Sequence, residues 1–107
     1  MINHVVLFKF RKSLTSKEIQ HLFEQIQKLS QLFPGIQNFS WGPNNNNEGL
    51  SQGFDYGLFL QFDSEETRTK YATHPLNAEI SEKIVAPALE NGLESALVFD
   101  YKVLKSY

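Results

Sequence analysis

Residues 2–10 read Ile-Asn-His-Val-Val-Leu-Phe-Lys-Phe. A run so rich in β-branched and aromatic side chains reads as a strand. Alternation along it places His4, Val6, Phe8 and Phe10 on one face and Val5 and Leu7 on the other. Both faces are largely apolar, so the strand needs cover on two sides. Residues 54–62 form an even clearer strand. Phe54, Tyr56, Leu58, Leu60 and Phe62 share one face; Asp55, Gly57, Phe59 and Gln61 share the other. Residues 36–42 alternate Phe39 and Trp41 with polar neighbours, and residues 93–103 alternate Leu97, Phe99, Tyr101 and Val103 against Ala96, Val98 and Asp100.

Helices separate these strands. Thr15-Ser16-Lys17-Glu18 fits a capping box. Ile19, Leu22, Phe23, Ile26, Leu29, Leu32 and Phe33 follow at spacings of three and four, which predicts a helix over roughly 16–33, ended by Pro34-Gly35. Asp63-Ser64 caps a helix from Glu65 to about Ala72. His74-Pro75 interrupts it and starts another, with Leu76, Ile80 and Ile84 on its buried side and Pro87 and Gly92 bounding its end. Pro43 to Gly53, with Asn44 to Asn47 in a row, offers nothing to bury and is expected to be a mobile loop.

The order β-α-β-β-α(α)-β is the split-βαβ, ferredoxin-like pattern of an α+β domain. It implies a four-stranded antiparallel sheet with helices on one face. The opposite face carries Val5, Leu7, Phe59 and, by alternation, Leu97, Phe99 and Tyr101. A monomer rarely leaves such a patch in water. A second copy packed sheet to sheet about a two-fold axis covers it, giving a homodimer with a barrel-like core, a dimeric α/β barrel.

Composition narrows the function. The chain has 107 residues, 10 Lys+Arg against 12 Asp+Glu, and a net charge of -2. That length fits one domain, 1–107. The charge balance argues against nucleic acid as a partner. There is no cysteine, hence no disulfide, thiolate metal site or Cys nucleophile. No apolar run approaches the ~18 residues of a membrane span, and the N-terminus has no signal-peptide character, so a cytoplasmic address is expected. The three histidines have no ligand-type spacing, and neither a nucleophile elbow nor a phosphate cradle is present. No metal or cofactor is expected.

Six segments carry a resemblance over nearly the whole chain. They are His4-Val5-Val6-Leu7-Phe8-Lys9-Phe10, Pro34-Gly35-Ile36, Trp41-Gly42, Phe62-Asp63-Ser64, Tyr71-Ala72-Thr73-His74-Pro75 and Phe99-Asp100-Tyr101. Their order resembles that of the stress-responsive dimeric A/B barrel (Dabb) family, with the opening strand and the Tyr-x-x-His-Pro segment the most specific. The resemblance implies a ferredoxin-like protomer paired into a dimeric barrel. Most members have no established activity. One is a polyketide cyclase with a pocket between sheet and helices, and the wider superfamily includes cofactor-free monooxygenases and haem-degrading enzymes. Carried over by position, His4 and Tyr71 match pocket residues of the cyclase, His74 matches the His of its His-Pro turn, and Asp100 matches the aspartate that orients its catalytic histidine. That histidine corresponds to Asn77, and an amide is no general base near neutral pH. Some relatives hold magnesium on backbone carbonyls of a turn that falls here at 33–36.

Two function classes follow. One is a non-enzymatic homodimer that binds a small apolar or aromatic molecule, or simply serves as a stable stress-induced protein, with His4, Val6, Phe8, Phe23, Trp41, Leu58, Tyr71, His74, Asn77 and Val98 as candidate contacts. The other is a cofactor-independent enzyme, cyclase-like or monooxygenase-like, acting on an aromatic substrate. It would use His74 or His4 with Tyr71 as acid–base groups and Asp100 as orienter. Each residue has a structural alternative. His4 suits a buried histidine bonded to a carbonyl or carboxylate, His74 suits a helix C-terminal cap, and Phe8, Phe23, Trp41 and Leu58 suit the core.

Overall fold

A computed structural model describes all residues, 1–107. Strand β1 (Ile2–Phe8) is central. It pairs antiparallel with β3 (Tyr56–Phe62) on one side and β5 (Ala96–Lys102) on the other, and β2 (Ile36–Pro43) pairs with β3. The sheet order is β2-β3-β1-β5. Between them lie helices α1 (Ser16–Ser30), α2 (Glu65–Thr73) and α3 (Pro75–Ile80), and a short strand β4 (Glu90–Leu93). No helix is long and apolar enough to cross a membrane.

The helices cover the face of Ile2, His4, Val6 and Phe8. The α1 stripe of Ile19, Leu22, Phe23, Ile26 and Leu29 is buried against Phe8, Phe10, Leu58, Leu60 and Phe62. The capping box forms: the Glu18 N–H donates to Thr15 Oγ1 and the Thr15 N–H to Glu18 Oε1. Each satisfies a first-turn donor that would otherwise lack a partner.

The opposite face is open. Cross-strand neighbours Leu7 with Leu97, and Val5 with both Phe59 and Phe99, lie on it. Leu97, Phe99 and Tyr101 keep 41%, 59% and 45% of their surface exposed. At one end a hydrogen-bonded row crosses all four strands. Asn38 Nδ2 donates to Gln61 Oε1, Gln61 Nε2 to Asn3 Oδ1, and Asn3 Nδ2 to Tyr101 Oη. Asn38 reaches this row from a β-bulge, at φ 59°.

Several boundaries differ from the sequence reading. Helix α1 stops at Ser30, three residues short, because the chain turns there: the Ser30 hydroxyl donates to the Gln27 carbonyl and Leu32 is exposed. The strand expected over 54–62 begins pairing at Tyr56. The helix from Pro75 runs on into a π turn (Ser81–Val85) and a last α turn (Ala86–Ala88). In a regular helix the Pro87 ring would meet the carbonyl four residues back, and the wider turn falls just before it. The stretch 93–103 is not one strand. A turn at Glu94-Ser95 divides it, and β4 lies beside the end of β1 through the Glu90 N–H and the Lys9 carbonyl. The 43–53 loop has internal order: Asn44 and Asn46 side chains accept from the Asn46 and Glu48 N–H groups, forming successive Asx turns.

Candidate functional site

Strands β1 and β5 place His4 directly opposite Asp100. Sequence alone left the order of these strands open; the central position of β1 makes them neighbours. His4 Nδ1 lies 2.5 Å from Asp100 Oδ1. Against an ionised carboxylate Nδ1 carries the hydrogen, so in the neutral ring Nε2 is the bare nitrogen. The ring stands edge-on to Phe62 at 5.4 Å and to Tyr71 at 6.3 Å. Asp100 Oδ2 lies 3.6 Å from Arg68 Nη1 on α2.

These groups close one end of a cavity of about 510 Å³ between the sheet and the helices. His4, Val6, Phe8 and Leu58 form its floor. Tyr71 and Asn77 overhang it, and Val98 and Asp100 form the β5 wall. Ile26, Leu29, Ile80, Val85 and Leu93 make most of the rest apolar. Val98 is 60% exposed, which puts the mouth at the β5 edge.

Tyr71 is buried, and burial alone pushes its phenol up to about 12. Its hydroxyl has no protein partner, yet no buried polar side-chain atom is left unpaired. The hydroxyl therefore keeps some exposure, on a residue that lines the cavity, and stays a proton donor at ordinary pH. Because the folded-state value is raised, its stabilising effect is whole below pH 10 and is lost as pH rises through about 12. Two pK units correspond to about 3 kcal/mol. Urea unfolding of the wild type should show this loss across that window, and Tyr71→Phe should not. Parallel decline of the two proteins would assign the alkaline loss elsewhere.

Three expected contacts lie outside the cavity lining. Phe23 is fully buried in the core and stacks on Trp41 at 4.4 Å, so both belong to the seam between α1 and β2. His74 packs edge-on to Phe33, and its Nδ1 accepts the Leu76 N–H at 3.1 Å. It caps the start of α3 as an acceptor, not the end of α2 as a cation. An accepting Nδ1 leaves the hydrogen of the neutral ring on Nε2, and His74, unlike His4, is not part of the cavity lining. Asn77 Oδ1 accepts from the Ser81 hydroxyl at 3.5 Å.

Arg68, Ser81 and Leu93 also line the cavity, beyond the sequence reading. Arg68 lies three residues before Tyr71 and Ser81 four after Asn77, so helical spacing pointed to both. Leu93 depends on β4, which carries no such signal. No cluster of three His, Asp or Glu is placed to hold a metal ion. At the 33–36 turn the Phe33 carbonyl accepts the Ile36 N–H, the Gly35 carbonyl accepts the Asp63 N–H, and Asp63 is held by Ser64 and Thr67. Two carbonyls of this turn, those of Phe33 and Gly35, thus accept hydrogen bonds within the protein.

A split-βαβ protomer with one apolar face open and a cavity under its helices defines the ferredoxin-like class. Within it, residues 2–103 match the Stress Responsive A/B Barrel Domain (Dabb), and the chain belongs to that family. It is 29% identical over 101 residues to the stress-response A/B barrel domain-containing protein HS1 of Arabidopsis thaliana, covering 94% of this chain and 88% of that one. Olivetolic acid cyclase of Cannabis sativa is 22% identical over 100 residues, covering 94% of each. A dimeric ferredoxin-like protein of unknown function from Jannaschia superposes with a TM-score of 0.83 at 24% identity, covering 95% of this chain and 98% of that one.

Proposed function

We propose that this protein is a homodimer joined through its open sheet face, each protomer holding a small apolar or aromatic molecule in its cavity. The observation that carries this reading is the cavity: about 510 Å³, mostly apolar, with the His4–Asp100 pair and the Tyr71 hydroxyl at one end. Volume and lining fit a ligand site in which a few polar groups orient an apolar body. The exposed Leu97, Phe99 and Tyr101 and the dimeric character of structural neighbours support the pairing. Native mass spectrometry of gently purified protein tests both parts. A dimer with a defined extra mass per protomer is the expected result. A monomer would overturn the pairing, and a bare dimer that takes up no aromatic probe would overturn the ligand site.

The His4–Asp100 contact favours a second reading, a cofactor-independent acid–base enzyme. Asp100 fixes the tautomer, His4 Nε2 takes a proton from the substrate, and the Tyr71 hydroxyl donates to the oxygen on which charge develops. A cyclase among the relatives accords with this chemistry. The histidine aligned with Asn77 in that reaction is replaced here by His4, reached from the β1 floor. On any aromatic substrate that a screen yields, Asp100→Asn should cut turnover by about 10²-fold or more while the dimer stays folded. Unfolding of that variant would make Asp100 structural. Unchanged turnover would remove His4 as the base.

A further inference from the structure

The polar end of the cavity is unevenly equipped, and the imbalance specifies a ligand group. The Tyr71 hydroxyl has no protein partner and is a donor at ordinary pH. The Asn77 NH₂ has no protein partner and is free to donate, its oxygen lying 3.5 Å from the Ser81 hydroxyl. Arg68 is donor only, with five N–H groups in a planar fork. Its single charged neighbour, Asp100 Oδ2, stands at 3.6 Å, beyond a good hydrogen bond, and no other guanidinium contact forms. Asp100 already gives Oδ1 to His4. Apart from the bare Nε2 of His4, the unspent capacity at this end is donor capacity, together with the one permanent cation on the cavity wall.

Four residues along β1, about 13 Å away, Phe8 and Leu93 make the other end apolar. A complementary molecule has an apolar body and an anionic, hydrogen-bond-accepting head to meet the guanidinium. A carboxylate is such a head, and its two oxygens match a guanidinium edge.

We infer that the cavity takes an amphipathic monocarboxylic acid, its carboxylate seated on the free edge of Arg68 and its apolar body lying along β1 toward Phe8. Arg68 is then the residue that sets ligand class. This rests on the reading of the cavity as a ligand site. It goes further by fixing the charge of what enters.

Hydrocinnamate and hydrocinnamamide share one apolar body and differ in this head, so calorimetric titration of the intact protein with each is the test. Wild type should bind the acid about tenfold tighter than the amide. In Arg68→Gln the preference should disappear with amide affinity unchanged. Arg68→Lys, which keeps the charge without the fork, should retain part of it. The Arg68 side chain is 36% exposed, so both variants are expected to fold. Equal binding of acid and amide by wild type would overturn this inference alone. So would an equal loss of both in Arg68→Gln, since Arg68 would then only brace Asp100. Failure of both probes to bind wild type would remove the ligand site itself and the inference with it.

Discussion

Phe99→Asp should turn the proposed dimer into a monomer. Phe99 keeps 59% of its surface exposed on the open sheet face, beside Tyr101 and across from Val5. Burying a phenylalanine against a partner contributes about 1.5–3 kcal/mol. A carboxylate there loses that and adds a desolvation cost of several kcal/mol. Two-fold symmetry applies the change twice. The sum exceeds about 5 kcal/mol, which weakens the dimer by more than about 10³-fold. Sedimentation equilibrium should find a monomer with an unaltered far-ultraviolet spectrum, because the substituted side chain touches nothing in its own core. A variant that sediments as the wild-type dimer would show that the protomers pair through some other surface.

Phe23→Ala should be the most destabilising single truncation. The ring is fully buried, stacked on Trp41 at 4.4 Å and edge-on to Phe8 and Phe10 at 5.4 Å and 6.0 Å. Removing a buried phenyl costs about 3–5 kcal/mol in lost transfer energy and cavity formation. That is a large share of the ~5–15 kcal/mol that holds a domain together. The melting temperature should fall by well over 10 °C, at about 4–8 °C per kcal/mol for a domain of this size. Trp41, the sole tryptophan, loses its stacking partner, so its emission should shift in the folded variant. Ligand affinity of the folded fraction should be unchanged. A stable variant with lost binding would return Phe23 to the ligand site.

What could be read from sequence follows from how local each cause is. Alternation over Phe54 to Phe62 and Ala96 to Tyr101 assigns side chains to faces, because strand period is a backbone property. The Thr15–Glu18 cap is equally local and forms as written. The His4–Asp100 contact could be suggested from sequence but not fixed, because it depends on which strands are neighbours. The same tertiary cause hides β4: Glu90-Asn91-Gly92-Leu93 has the composition of a turn, and it is held where the Glu90 N–H reaches the Lys9 carbonyl just past β1. Trp41 and Phe23 show the opposite limit. Aromatic residues at core spacing fill either a core or a cavity, and only packing decides. His74 turned on one rotamer, which aims Nδ1 at the Leu76 N–H instead of into the cavity.

The central place of β1 also orders the birth of the molecule. It leaves the ribosome well before its partner β5, which comes 96 residues behind at the His4–Asp100 contact. Until β5 emerges, one whole edge of the central strand has unpaired N–H and C=O groups, flanked by apolar side chains. Closing so long a loop is slow compared with forming the helices. The nascent chain thus carries an unfinished sheet from the emergence of β1 to that of β5, a state prone to misassembly with its neighbours. His4 and Asp100 meet only when that edge closes, so the polar end of the cavity is among the last parts of the protein to exist.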